Sequence, residues 1–185
     1  MIESERRLPH RDVLGQPVFI TFRLHGSLPA NRTFPPERVS AGRAFVAMDR
    51  VLDRATAGPL YLKMPEIAEM VTKRLREGTK LGHYQLHAYV IMPNHVHLQA
   101  TSLVPAARWL KALKGVTAHQ ANRILVRSGQ HFWQDESYDH LVKSEIEFGR
   151  IQDYIESNPV RAGLAATAEQ WNWSSANPAC GRCTD

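Results

Sequence analysis

Two histidines separated by one apolar residue, His95-Val96-His97, follow Pro93 closely in the run HAYVIMPNHVHLQA. In an extended strand successive side chains alternate faces. Both imidazoles therefore point the same way, with Val96 on the opposite side. Two neutral imidazoles at that spacing can grip one metal ion. A second segment, EFGRIQDYIESNPVRAGL, holds what such an ion can serve. Its Tyr154 and Asn158 are four apart on an expected helix, hence on one face. A phenol with a pKa near 10 is a poor attacker at neutral pH and needs a base or a nearby cation. His95, His97 and Asn158 together describe a three-ligand site with open positions, which marks a catalytic rather than a structural metal. Each feature alone has a plainer explanation: exposed strand histidines, an aromatic on an amphipathic helix. Asn158 is either a ligand or, because Pro159 follows it, a helix cap.

The elements that must position these groups follow from periodicity. PVFITFRL (17–24) is rich in β-formers and reads as a strand. One helix is expected over Glu37–Ala55, and an amphipathic one over Pro65–Glu77, closed by Gly78. Residues 83–92 alternate, with Leu86, Ala88, Val90 and Met92 on one face and Gln85, His87 and Tyr89 on the other. Residues 95–101 form the next strand, with Val96, Leu98 and Ala100 inward. The short Pro93-Asn94 connector makes the pair a tight antiparallel hairpin. Pro105–Val126 reads as a helix with Leu110, Leu113 and Val116 as its core stripe. Residues 131–142 supply another strand. Ser144-x-x-Glu147 has capping-box spacing and opens the last helix, which Asn158-Pro159 is expected to end. The resulting βαββαβ order is an α+β pattern, ferredoxin-like, with an antiparallel sheet and an added C-terminal helix carrying the tyrosine.

The 185 residues, 43% of them hydrophobic, suit a single domain with a sizeable core. A basic N-terminal arm over about 1–14 and a frayed tail over about 176–185 are expected to flank it. No run of eighteen apolar residues marks a membrane span, and MIESERRLPHR is too charged for a secretory signal, so the expected home is the bacterial cytoplasm. Cys180 and Cys183 form a lone CxxC at the end, with no second pair to complete a zinc site. The net charge of +5 is unevenly spread. Gly78 through Gln134 contains no Asp or Glu, yet carries Lys80, Arg108, Lys111, Lys114, Arg123, Arg127 and six histidines. A one-signed block inside a folded domain is the footprint of a polyanion, here nucleic acid. Lys111, Lys114, Arg123 and Arg127 are candidate backbone contacts, which give affinity without sequence information. Arg161 is a candidate phosphate contact. Trp109 and Trp133 either stack on unpaired bases or pack in the core.

VIMPNHVHL resembles the metal-binding strand of the HUH superfamily of DNA-nicking enzymes. YIESNPVRAGL resembles the helix that bears the single catalytic tyrosine in transposases of that superfamily. RRLPH (6–10), FITFRL (19–24), FWQ…YDH (132–140) and WSS (173–175) fit in the same order, so the resemblance spans about residues 6–175. It is nearest to the REP-associated tyrosine transposases, whose helix carries Asn at this i+4 place where the insertion-sequence branch usually carries Gln. The resemblance implies Tyr154 as nucleophile, a 5′-phosphotyrosine intermediate with a free 3′-hydroxyl, and Mg²⁺ or Mn²⁺ on His95, His97 and Asn158. It implies hairpin or single-stranded DNA as partner, bound by a monomer or homodimer, with Arg6 and Arg7 reaching into a hairpin groove. Asp139-His140 matches a family pair that orients DNA, tunes the site through hydrogen bonds, or is structural. No P-loop is present, in keeping with ATP-free strand transfer. The alternatives are a domesticated hairpin-binding protein that does not cut, a replication initiator or relaxase, and a small zinc-bound regulator using the cysteines.

Overall fold

The structure is a computed structural model, and it describes residues 13–28, 41–54 and 58–180. Arg6, Arg7, most of the expected N-terminal arm, the start of the first expected helix and Cys183 lie outside the described residues. So do the side chains of residues 41–46 and of Cys180.

A four-stranded antiparallel sheet carries the fold, an α+β arrangement. Strand β1 (Pro17–Arg23) leads to helices α1 (Ala41–Arg54) and α2 (Pro65–Lys80). Strands β2 (Tyr84–Ile91) and β3 (His95–Ser102) form the expected hairpin, followed by α3 (Ala106–Ile124), β4 (Tyr138–Leu141) and α4 (Glu145–Arg161). The spatial order is β2-β3-β1-β4. No helix among the described residues is long and apolar enough to cross a membrane.

Alternation along β1 and β3 divides the protein into two apolar layers. Ile20, Phe22, Val96, Leu98 and Ala100 face α2 and α3, where Ile67, Val71, Leu75, Trp109, Leu110 and Leu113 complete the larger core. Phe19 faces the other way, with Ala88, Val90, Met92 and Ile155 of α4. His95 and His97 share that second side, since Thr21, Phe19's neighbour in alternation, stands opposite His97 in the ladder.

Several expectations change here. A bulge between Leu86 and Ala88 shifts the β2 register. Leu86 and Tyr89 thus join the larger core, while Ala88 and Val90 join the smaller, so the simple alternation expected along 83–92 breaks at His87. The strand expected over 131–142 shrinks to Tyr138–Leu141, preceded by one isolated bridge, Leu24 to Trp133. The polar run Asp135-Glu136-Ser137 separates the two pieces. In α3, Val116 is exposed, and Trp109, Thr117 and Ala121 fill the buried stripe with Leu110 and Leu113. Helix α4 continues through Pro159 to Arg161. Proline denies only one backbone bond there, and the helix closes one turn later, with the Ala162 amide on the Asn158 carbonyl and Gly163 at φ 71°. The tail is packed further than expected: Asn177 is buried, donating to the Glu169 carbonyl at 2.8 Å. Ahead of it, Ser174 bridges Val90 and the Ser175 amide bonds the Tyr89 carbonyl, covering the open edge of β2.

Gly78 does not close α2. It lies inside the helix, where its missing side chain makes room for the Tyr84 ring, whose hydroxyl donates to the Leu75 carbonyl at 2.7 Å. A methyl at position 78 would collide with that ring. Gly78→Ala should lower unfolding free energy by about 1–3 kcal/mol, the usual cost of overpacking, read from the midpoint of denaturant unfolding.

Candidate active site

His95 and His97 are fully buried in β3. Their Nε2 atoms face each other at 3.0 Å. Each ring is held from behind. His95 Nδ1 lies 2.7 Å from the Asn94 Oδ1, and that amide is itself oriented by its Nδ2 donating to the Leu52 carbonyl of α1 at 3.0 Å. His97 Nδ1 lies 2.7 Å from the Thr21 hydroxyl on β1. An amide oxygen only accepts, so His95 carries its hydrogen on Nδ1. Burial, and then the charge of His97, push the His95 pKa down to about 3 against the pull of Asp49. Its Nε2 is therefore a bare lone pair aimed at His97.

Helix α1 closes the third side. Asp49 is buried, with Oδ1 3.0 Å from His97 Nε2 and 3.6 Å from His95 Nε2. Burial alone would raise the Asp49 carboxyl. His97, His95 and Arg161 outweigh it and hold the group below its usual range. Asp53, one turn on, stands 3.9 Å from His95 Nε2. Burial and the neighbouring Asp49 carboxylate push it up to about 6, opposed by His97 and Arg161. Among the described residues, Asp49, His95 and His97 are a group whose ligand atoms lie within 4.8 Å of one another.

The donor set fits a divalent ion. Ligand atoms on neighbouring corners of an octahedron with bonds of about 2.1 Å stand about 3 Å apart, and two edges of this cluster have that length. Asp49 Oδ2 and both side-chain polar atoms of Asn158 are buried with no hydrogen-bond partner among the described residues. Buried polar groups are normally satisfied, so these call for an explanation.

Helix α4 brings the tyrosine to the same place. The Ser144 hydroxyl caps its N-terminus by accepting from the Glu147 amide at 3.2 Å. The Glu147 carboxylate accepts from the Lys143 amide, one residue beyond the N-cap amide that a strict capping box uses. Gln99, two residues after His97 on the same strand face, donates to the Phe148 carbonyl and pins the helix to β3. Tyr154 then lies with its ring 5.8 Å from that of His97 and 6.2 Å, edge-on, from Phe19. Asn158 is one turn further and fully buried. Arg161, at i+7, places its guanidinium 4.6 Å over the Tyr154 ring. Because α4 runs through Pro159, all three share one face.

Other expected site residues fall elsewhere. His140 faces α4 but bonds Glu147 at 2.8 Å, while Asp139 pairs with Ile20 and so points to the opposite face. Lys111, Lys114 and Arg123 lie on α3, in the layer across the sheet from the histidines, while Arg127 lies in the loop after it, over the Tyr61 ring. The Lys114 ammonium donates to the carbonyls of Gln134 and Asp135 at 2.6 and 2.9 Å, and burial lowers its pKa. Trp109 and Trp133 are both core residues. Sequence reasoning missed Asp49 and Asp53. Their only signal was an acid pair at i, i+4 in an otherwise basic chain.

The family described as "Transposase IS200 like" matches residues 61–158, just over half of the chain. The chain belongs to that family. A curated relative, the REP-associated tyrosine transposase of Escherichia coli (strain K12), is 24% identical over 98 residues, covering 50% of this chain and 54% of the relative. The match thus spans little more than half of that relative's length. A solved structure of a REP-associated tyrosine transposase bound to a REP hairpin superposes with a TM-score of 0.59 at 16% identity, covering 91% of this chain and 81% of the other. At that identity the likeness is one of fold. His95, His97, Tyr154 and Asn158 lie within the family match, whereas Asp49 and Arg161 lie outside it.

Two measurements follow. Thr21→Val, which removes the hydroxyl behind His97, should weaken divalent-ion binding about 10–100-fold in calorimetry while leaving the fold intact. In chelator-treated protein, the raised Asp53 pKa means that the folded state binds the extra proton between about 4 and about 6. This carboxyl therefore costs stability as pH rises through that window. Asp53→Asn should unfold later than wild type at pH 7, by about 1 kcal/mol after solvent screening, and the gain should vanish below pH 4.

Proposed function

We propose that this protein nicks and rejoins single-stranded DNA beside hairpins, with Tyr154 as the nucleophile and a divalent ion, Mg²⁺ or Mn²⁺, held by His95, His97, Asp49 and Asn158. The observation that carries this reading is the convergence of two imidazole Nε2 atoms and one carboxylate in a buried cluster beside the Tyr154 ring. Membership of the IS200-like family supports the reaction class, and the relative bound to a REP hairpin supports the choice of DNA.

When bound, the ion supplies Lewis-acid polarisation of a non-bridging oxygen on the scissile phosphate. Tyr154 Oη attacks phosphorus, forming the Oη–P bond as the P–O3′ bond breaks. The products are a 5′-phosphotyrosine and a free 3′-hydroxyl. Because one phosphoester replaces another, the reverse step rejoins strands without ATP. Arg161 favours negative charge on the phenol as it loses its proton, the cation that a tyrosine nucleophile needs. Asn94 and Thr21 hold the imidazoles in orientation from behind, and α1 brings a carboxylate that offsets the ion's charge in a buried site.

Wild type mixed with end-labelled hairpin DNA and Mn²⁺ should give a protein-linked band on denaturing gels, lost with chelator. Tyr154→Phe should abolish the band, and His97→Ala should reduce it below detection. Asp49→Asn should weaken metal affinity about tenfold or more by calorimetry, the scale of losing a ligand or its close support. A clear hairpin gel shift with no adduct under any divalent ion would instead identify a binding protein that does not cut.

A further inference from the structure

We propose that the His25–His131 pair and the Tyr61–Arg127 stack form a platform for unpaired nucleobases of the DNA strand that enters the site. This inference rests on the nuclease reading for its substrate. Trp109 and Trp133, which the sequence left open between base stacking and core packing, are buried in the core, so a stacking surface must lie elsewhere. The structure gathers two exposed imidazoles and a half-buried tyrosine in one place. The exposed imidazoles of His25 and His131 lie 5.2 Å apart between centroids, tilted by 31°. Beside them the Tyr61 ring stacks on Phe132 at 6.1 Å and 21°. The Arg127 guanidinium lies 4.7 Å over the Tyr61 ring, held by two bonds to the Gln130 Oε1 at 3.0 and 2.8 Å.

Three segments build this surface, and they close on one another. The His25 amide bonds the Phe132 carbonyl at 2.9 Å. A side chain at Gly58 would strike the Gly26 carbonyl. Residues 24–28, 58–63 and 126–134 contain no Asp or Glu, and carry Lys63 and Arg127. Val126, next to Arg127, is 91% exposed and sits at φ 53°, a conformation a β-branched residue adopts only under constraint. It adds an apolar edge to the rim.

The position suits a strand leading to the nucleophile. The Leu24 amide bonds the Asn94 carbonyl at 2.8 Å, and the Leu62 amide bonds the Pro93 carbonyl at 3.2 Å. That Pro93-Asn94 turn leads directly into His95. His25 and Tyr61 are the chain neighbours of those two leucines, so the platform borders the turn that carries the metal-ligand strand. Exposed imidazoles beside a guanidinium fixed flat over Tyr61, free of acids, fit the π-faces of bases along a polyanionic backbone. Every base has such a face, so this surface gives affinity for unpaired DNA without selecting its sequence.

The test is fluorescence anisotropy in chelator at fixed salt, with a blunt hairpin, the same hairpin carrying a short single-stranded flank, and that flank made abasic. Wild type should bind the flanked hairpin more tightly than the blunt or abasic one. His25→Ala/His131→Ala should lose about tenfold on the flanked hairpin and nothing on the blunt one. His25→Phe/His131→Phe should restore the flanked affinity, because a phenyl ring stacks without an imidazole's hydrogen bonds. Equal losses on both DNAs, no loss on the flanked DNA, no rescue by the Phe pair, or no flank preference in wild type would each overturn the platform. Metal-free binding is blind to cleavage. Flank preference without any tyrosine adduct would sink the nuclease reading alone, and an adduct without flank preference would sink the platform alone.

Discussion

Side-chain alternation along β3 is the constraint on which the rest of this structure depends. One strand, paired on both sides, sends Val96, Leu98 and Ala100 into the larger core and His95, His97 and Gln99 into the opposite layer. A slip of one residue would exchange those sets, burying imidazoles among leucines and exposing the apolar face. The hydrophobic requirement of the core thus fixes the direction of the site. The same strand face that carries the two histidines also holds helix α4, with Tyr154, through Gln99. Core, histidine pair and Tyr154 are positioned by one register.

Burial then gives the cluster its chemistry. Two imidazole nitrogens at 3.0 Å, with a carboxylate oxygen at 3.0 Å from one of them, make an arrangement that only a shared proton or a cation relieves. The groups behind them are neutral hydrogen-bonding partners, Asn94 and Thr21, which orient the rings and leave the charge at the front. Helix α1 contributes opposing charge through Asp49 and Asp53, and α4 contributes Arg161 over the tyrosine. Four elements meet at this point: two strands set the imidazoles, and two helices bring the groups of opposite sign.

The basic block in the middle of the chain divides between roles once folded. Lys114 is a structural tie to the loop before β4, and its ammonium is spent on two carbonyls. Arg127 covers an aromatic ring beside the turn that leads to His95. Lys111 and Arg123 remain exposed on α3, on the far side of the sheet from the tyrosine. A charge block in sequence says that a polyanion is a fitting partner, while its division between structure and surface depends on which side chains the loops capture.

Local pattern in the sequence was enough for most elements and for the shared face of His95 with His97 and of Tyr154 with Asn158. A run of β-formers gave β1, period-two alternation gave β3, a two-residue connector gave the hairpin, and i+4 spacing put Asn158 on the face of Tyr154. These are short-range facts, set by backbone geometry within a few residues. The bulge at His87, the burial of Tyr89, the passage of α4 through Pro159 and the exposure of Val116 escaped that reading. Each depends on a neighbouring element: a partner strand that absorbs an extra residue, a C-terminal closure that tolerates one lost bond, a helix turned toward a different stripe. Asp49 escaped for the same reason. Forty-five residues lie between it and His95, and nothing local marks that carboxylate as different from any acid on a solvated helix face. Only tertiary packing, through the Asn94 bond to Leu52, sets α1 against β3 and makes that acid part of the site.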